Sequence, residues 1–155
     1  MSGPAIDPCG LFHAEVLAEL HAQCFAEAWD AEALRGLLAT PGTFGLLAMA
    51  EDQPIGMVLC RGGADECEIL TLAVAGAARR RGIGGRLLDA ALDDARTRGA
   101  AAMFLEVGAG NAAAVALYGS RGFRRVGRRA GYYRVAGKPP EDALVLRLDL
   151  GGGLD

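Results

Sequence analysis

The stretch Arg79-Arg80-Arg81-Gly82-Ile83-Gly84-Gly85-Arg86-Leu87-Leu88 is a basic, glycine-broken turn that runs straight into an amphipathic helix. From Ile83 the apolar residues recur at Ile83, Leu87, Leu88, Ala91, Leu92 and Ala95, a one-sided helical stripe that stops at Arg98-Gly99, where glycine can end a helix. The helix therefore starts near Gly82, and the arginines at 79, 80, 81 and 86 crowd the positive end of its dipole. Each such cation costs roughly a few tenths of a kcal/mol unless an anion occupies the free N–H groups of the first turn. A phosphate resolves that conflict. A solvated basic turn is the alternative reading, and the glycines favour the phosphate.

Elimination narrows the phosphate ligand. A Walker loop needs Gly-Lys-Ser/Thr, but Gly84 is followed by Gly85-Arg86, so neither the lysine nor the magnesium-binding hydroxyl is in place. A Rossmann turn needs a third glycine where Leu87 stands, and no acidic residue ends a second strand at the usual distance. What remains, Arg79-x-x-Gly82-x-Gly84 between a strand and a helix, resembles the pyrophosphate-binding turn of the GNAT acetyltransferases. The resemblance extends outward, and within that superfamily it is to the bacterial ribosomal-protein alanine N-acetyltransferases. Glu68-Ile69-Leu70-Thr71-Leu72-Ala73-Val74 precedes the turn, Phe104-Leu105-Glu106-Val107 follows the helix, and Asn111-Ala112-Ala113-Ala114-Val115-Ala116-Leu117-Tyr118 lies beyond. Gly122-Phe123 closes the next helix, while Arg128-Arg129-Ala130-Gly131-Tyr132-Tyr133 and Glu141-Asp142-Ala143-Leu144-Val145-Leu146 match the last two strands. The likeness covers about Phe44 to Leu150; before it only Cys24-Phe25 and Trp29 resemble the family's first helices.

The order of elements points to a mixed α/β sheet. Val16, Leu17, Leu20, Cys24 and Phe25 form one helical stripe, and Asp30 caps a second helix carrying Leu34, Leu37 and Leu38. Strands Thr43 to Ala50, Ile55 to Arg61 and Glu66 to Val74, separated by the turn Glu51-Asp52-Gln53-Pro54 and by Gly62-Gly63, read as an antiparallel meander. Helix 82–98, strand Ala101 to Val107 and helix 111–121 then favour a parallel pairing with helices covering the sheet. The expectation is a GNAT fold, a mostly antiparallel mixed sheet flanked by helices, in a single domain over 1–150 with a frayed tail at 151–155.

Composition agrees. The chain has 155 residues, 52% of them apolar, enough for one core, and a net charge of −3 makes the arginine cluster local and ligand-directed, with no nucleic-acid face expected. Cys9, Cys24, Cys60 and Cys67 form no C-x-x-C pair, so neither a metal nor a dense disulfide framework is expected, and reduced thiols in the cytoplasm are. Neither a leader segment nor a membrane span is expected, the longest apolar run being Ile69 to Ala78.

The chemistry falls to few residues. Met103, Leu105 and Val107 face one way from their strand and Ala102, Phe104 and Glu106 the other, so the Glu106 carboxylate projects from an otherwise apolar face. It must be paired by a cation or used. Acetyl transfer to an amine would use it as the base, since an α-ammonium of pKa about 8 cannot attack a thioester until deprotonated. Asn111 and Tyr118, seven residues apart, share one helix face. Asn111 is an N-cap, a hydrogen-bond partner of CoA, or both. The resemblance implies that Tyr118 protonates the leaving thiolate; the alternative is a packed core tyrosine. It implies further that acetyl-CoA is the acetyl donor, the backbone of Leu72, Ala73 and Val74 pairing with pantetheine and that of Arg80, Arg81, Gly82, Ile83, Gly84 and Gly85 taking the pyrophosphate, with Arg79 or Arg86 adding charge. The implied acceptor is the alanine N-terminus of a ribosomal small-subunit protein, in a groove lined by Trp29, Tyr132 and Tyr133 unless those are core residues. Glu141 and Asp142 either attract an incoming peptide or form a turn. His13 and His21 read as helix-surface histidines, and Cys67 as a thiol that is reactive without being catalytic. A monomer is expected. The alternatives carried are a GNAT enzyme for a small amine, an antibiotic or a lysine side chain, and an acyl-CoA-binding protein without turnover.

Overall fold

A computed structural model describes residues 3–151. It contains strand β1 (Ala5–Cys9), a 3-10 turn (Leu11–His13), helices α1 (Ala14–Cys24) and α2 (Ala31–Ala39), and strands β2 (Thr43–Ala50), β3 (Gln53–Gly62) and β4 (Glu66–Val74). A second 3-10 turn (Gly76–Ala78), α3 (Ile83–Thr97), β5 (Ala102–Gly108), α4 (Ala112–Ser120), β6 (Arg124–Tyr133) and β7 (Glu141–Asp149) complete it. The expected tail falls largely on 152–155, outside the described residues.

One seven-stranded sheet, ordered β1-β2-β3-β4-β5-β7-β6, divides the molecule into two layers. Only β4 and β5 run parallel; the other five pairings are antiparallel. The α3 stripe is as expected: Ile83, Leu87, Leu88, Ala91, Leu92 and Ala95 are all buried on one sheet face, with Met103, Leu105 and Val107 of β5. Gly99, at φ 93°, ends α3 in the left-handed conformation. On the opposite face Leu17 and Leu20 of α1 and Leu34 of α2 pack on Leu47, Met57 and Leu59. Asp30 caps α2 as expected, its carboxylate accepting the Ala33 N–H at 2.8 Å.

The sequence reading differs at three places. β1, expected to be part of a helical region, is an edge strand, where Pro8 costs no ladder bond if its missing N–H faces away from β2. The β2–β3 turn is only two residues, Glu51 and Asp52, at φ 51° and 67°. Positive φ at both positions suits the twist of a tight hairpin, so β3 starts two residues early. Strands β6 and β7 extend beyond the expected 128–133 and 141–146.

Where β4 leaves its neighbour decides the site. Its register with β3 shifts between Leu59 and Cys60, which face Thr71 and Ile69, so Leu70 is an extra residue in a β-bulge. The parallel ladder with β5 ends at the same point, Ile69 opposite Leu105. A bulge bends and twists its strand, and beyond it β4 and β5 part, with a gap between them.

Candidate active site

The gap opens into a cavity of about 640 Å³ lined by residues from both layers, among them His21, Trp29, Thr71, Leu72, Glu106, Asn111, Tyr118, Tyr132, Tyr133 and Glu141. Glu106 and Tyr118 approach it from opposite sides of the sheet. Glu106 points away from Leu105 and Val107, whereas Tyr118 packs among the buried residues of the α3 layer and meets the Phe123 ring edge-on at 5.6 Å. Tyr118, 6% exposed, is a packed core tyrosine that also lines the cavity. Burial pushes its phenol up to about 12, with the Cys60 and Tyr133 groups adding to it, so the O–H keeps its proton at neutral pH.

Glu106 is paired. Its carboxylate lies 2.9 Å from Arg129 Nε of β6, two strands away, and stays 22% exposed toward the cavity. Asn111 caps α4, its Oδ1 accepting the Ala114 N–H at 3.2 Å, and also lines the cavity. Trp29, Tyr132 and Tyr133 are brought together there from distant parts of the chain. The two tyrosines meet edge-on at 5.1 Å; Tyr132 is 48% exposed and Tyr133 half-buried, so consecutive residues do diverge. Burial raises the Tyr133 phenol, and the Glu106 charge raises it further.

The open edge of β4 is narrower than its sequence implies. The Ala75 N–H donates to Ile55 of β3 at 2.8 Å, so by the two-residue alternation Ala73 also turns its polar backbone to β3, and Leu72 and Val74 face the gap. The Val74 carbonyl is already filled, accepting the Cys24 S–H at 3.3 Å and the Arg79 Nε–H at 3.0 Å. Leu72 is thus the one of the three whose N–H and C=O are both turned to the gap and uncommitted. Arg79 is exposed like Arg80, Arg81 and Arg86, but its guanidinium is folded back onto the strand and onto Cys24. Gly82, at φ 77°, starts α3 with no side-chain cap, so the first-turn N–H groups of Ile83, Gly84 and Gly85 have no side chain closing them. Arg80 shares the left-handed conformation at φ 65°. Consecutive N–H groups at an uncapped, positively charged helix start suit a phosphate.

One further expectation is corrected. His21 is no surface histidine: it is 3% exposed, sandwiched between Phe25 at 4.3 Å and Trp29 at 4.8 Å. The Trp29 N–H donates to its Nδ1 at 3.0 Å, which assigns the proton of the neutral ring to Nε2, 3.2 Å from Thr71 Oγ1. Burial lowers its pKa and keeps it neutral. The stripe of α1 held a signal for this, since position 21 lies four residues after Leu17 and three before Cys24 on the same helix face. Cys67 is 2% exposed, is packed with Cys60 and lines a second pocket with Arg61, Glu66, Glu68 and Phe104. Cys60 donates to its sulfur, which lowers the Cys67 thiol and raises that of Cys60. Glu141, in the cavity lining, accepts the Gly110 N–H at 2.6 Å, and Asp142 accepts the Gly131 N–H at 2.8 Å and pairs with Arg128. Arg129 itself was not singled out from the sequence as a site residue. Among the described residues no group of three His, Cys, Asp or Glu side chains is placed to hold a metal, and no helix is long and apolar enough to cross a membrane.

Residues 14–123 match the model of the acetyltransferase (GNAT) family. The chain is 40% identical over 144 residues to the N-alpha-acetyltransferase RimI of Mycobacterium tuberculosis, covering 89% of this chain and 87% of that one. It is 38% identical over 101 residues to the ribosomal protein bS18-alanine N-acetyltransferase of Salmonella typhimurium, 65% of this chain and 68% of the other. In fold it superposes on the crystal structure of the ribosomal-protein-S18-alanine N-acetyltransferase from Escherichia coli with a TM-score of 0.91 over 98% of this chain and 97% of that one, at 24% identity.

Proposed function

Because this chain belongs to the GNAT acetyltransferase family, we propose that it transfers the acetyl group of acetyl-CoA to the N-terminal alanine amine of a protein, a ribosomal small-subunit protein being the acceptor its relatives' names point to. The observation that carries the reading is the cavity at the β4–β5 gap, where a carboxylate and a protonated phenol from opposite sheet faces meet beside an open strand edge. An amide-bearing pantetheine arm fits that edge through Leu72, as a peptide adds to a strand. Its pyrophosphate fits the uncapped start of α3, with Arg80, Arg81 and Arg86 at hand.

In this reading the acceptor enters from the side of Trp29, Tyr132 and Tyr133. Glu106 takes a proton from the α-ammonium, directly or through a water, and passes it to solvent. The freed amine forms a bond to the thioester carbon as the C–S bond breaks. Tyr118, held protonated by burial, gives its proton to the departing sulfur, and the second proton lost by nitrogen restores the phenol through solvent. Amide and free CoA result.

The test is CoA release with three acceptors: an alanine-initiated basic peptide, the same peptide with a blocked N-terminus, and a polyamine, with products identified by mass. Turnover on the free alanine terminus alone is expected; turnover only on the blocked peptide or the polyamine overturns the acceptor, and silence on all three overturns the transfer.

A further inference from the structure

The ion pair in which Glu106, in the cavity wall, takes part has a feature that the transfer chemistry does not require. Arg124, Arg128 and Arg129 of β6 each meet a carboxylate, but Asp149 and Asp142 lie outside the cavity, whereas Arg129's partner is Glu106, in its wall. Arg129 is 56% exposed and crosses from β6 over β7 to reach β5. The way is clear: opposite Arg129 across β7 stands Ala143, and beyond it Gly108 of β5, so no side chain larger than a methyl intervenes in that row. The guanidinium also lies 5.1 Å over the ring of Tyr132. A carboxylate and an aromatic face together are the surroundings that an ammonium ion favours.

We propose that Arg129 is a built-in stand-in for the acceptor's ammonium: its guanidinium occupies the place beside Glu106 that the positively charged amine must take, and yields it when the acceptor binds. The inference rests on the acetyl-transfer reading for the identity of the acceptor. A second cation on the same carboxylate meets the repulsion of the first, so acceptor binding and the Arg129–Glu106 contact oppose each other. In the free protein the pairing spares Glu106 an uncompensated charge among apolar neighbours. The acetylated product carries no charge at that nitrogen, so the guanidinium reclaims the carboxylate as product forms. Arg129 is a positioning residue here, acting on the acceptor through Glu106.

Trp29, the chain's one tryptophan, lines the cavity, so its fluorescence reports peptide binding without turnover. An alanine-initiated peptide and its Nα-acetylated copy are titrated into the unaltered protein, Arg129→Gln and Arg129→Lys. With the stand-in gone, Arg129→Gln should bind the free-amine peptide about two- to fivefold more tightly, the scale of a partly exposed pair, with the acetylated copy unchanged. Millimolar methylguanidinium should reverse the gain, Arg129→Lys should match the unaltered protein, and the acceptor KM should fall by the same factor while kcat holds. Unchanged or weaker binding of the free amine, an equal shift for the acetylated copy, or no binding of either peptide overturns the inference. Failure of the acetyl-transfer reading is distinguishable: it leaves the titrations intact and shows as absent CoA release.

Discussion

The wall that we assign to the cofactor runs along one stretch of chain, Leu70 to Gly85, of which Leu70, Thr71 and Leu72 line the cavity, and presents mainly backbone. The wall we assign to the acceptor draws His21 and Trp29 from the α1 region, Glu106 from β5 and Tyr132 and Tyr133 from β6, and presents side chains. Backbone groups recognise amides and phosphate whatever the side chains are, so the first wall needs only a bulge, an open edge and glycines. The second needs particular atoms at particular places, and several of those atoms are held by contacts between residues distant in sequence. His21 shows the difference. It touches β4 through Thr71, 50 residues on, and through Trp29 it pins the loop between α1 and α2.

The sharpest way to separate the two walls is Glu106→Gln. It should cut turnover about a hundredfold or more, the scale of a lost general base, while calorimetric titration shows acetyl-CoA binding unchanged; a loss of both would mean that the walls are not independent. Tyr118→Phe, read by steady-state kinetics, should lower kcat by roughly tenfold to a hundredfold with little change in either KM, since the donor matters only once charge develops on sulfur. On the other wall, Gly82→Val forces a β-branched residue into φ 77°, a strain of about 1–2 kcal/mol. Acetyl-CoA affinity should fall roughly tenfold in the same titration, with the acceptor KM unaltered.

The smallest effect sharpens the comparison most. His21→Leu removes the ring's two hydrogen bonds but not its apolar bulk, and should raise the acceptor KM a few-fold with acetyl-CoA binding preserved. It should also change the pH dependence of stability. The His21 pKa is depressed by burial below the ordinary 6.5, so between the folded value and 6.5 the unfolded chain binds the extra proton. Stability from this group is therefore full above about 6.5 and lost as pH falls from there toward the folded pKa. Urea midpoints at pH 7.5 and 5.5 should differ less in His21→Leu than in the unaltered protein; an unchanged difference would mean that His21 does not carry it.

How far the sequence could be read follows the same division. The α3 stripe, the Asp30 and Asn111 caps and the β2–β4 meander were legible because each depends on near neighbours in the chain, and the parallel β4–β5 pair because a helix connects the two strands. The edge strand β1 was not, since Ala5–Cys9 has no period of its own and forms by pairing with β2. Glu106 was found by parity along β5, and the structure pairs it with Arg129 while leaving it in the cavity wall. Ala73 and Val74 were expected on an open edge, but local sequence does not say which side of β4 each carbonyl faces or that Cys24 and Arg79 would fill one of them.

By itself, then, the sequence determined the helix and its phosphate-suited start, the fold class and the carboxylate, because glycine spacing, helical period and strand parity act through neighbouring backbone. Only the tertiary structure decided that Leu70 bulges β4 away from β5, that His21 is buried between two aromatic rings, and that Arg129 reaches Glu106 across β7. Those depend on strand register and on cross-chain packing, where a shift of one residue turns every side chain to the other face of the sheet.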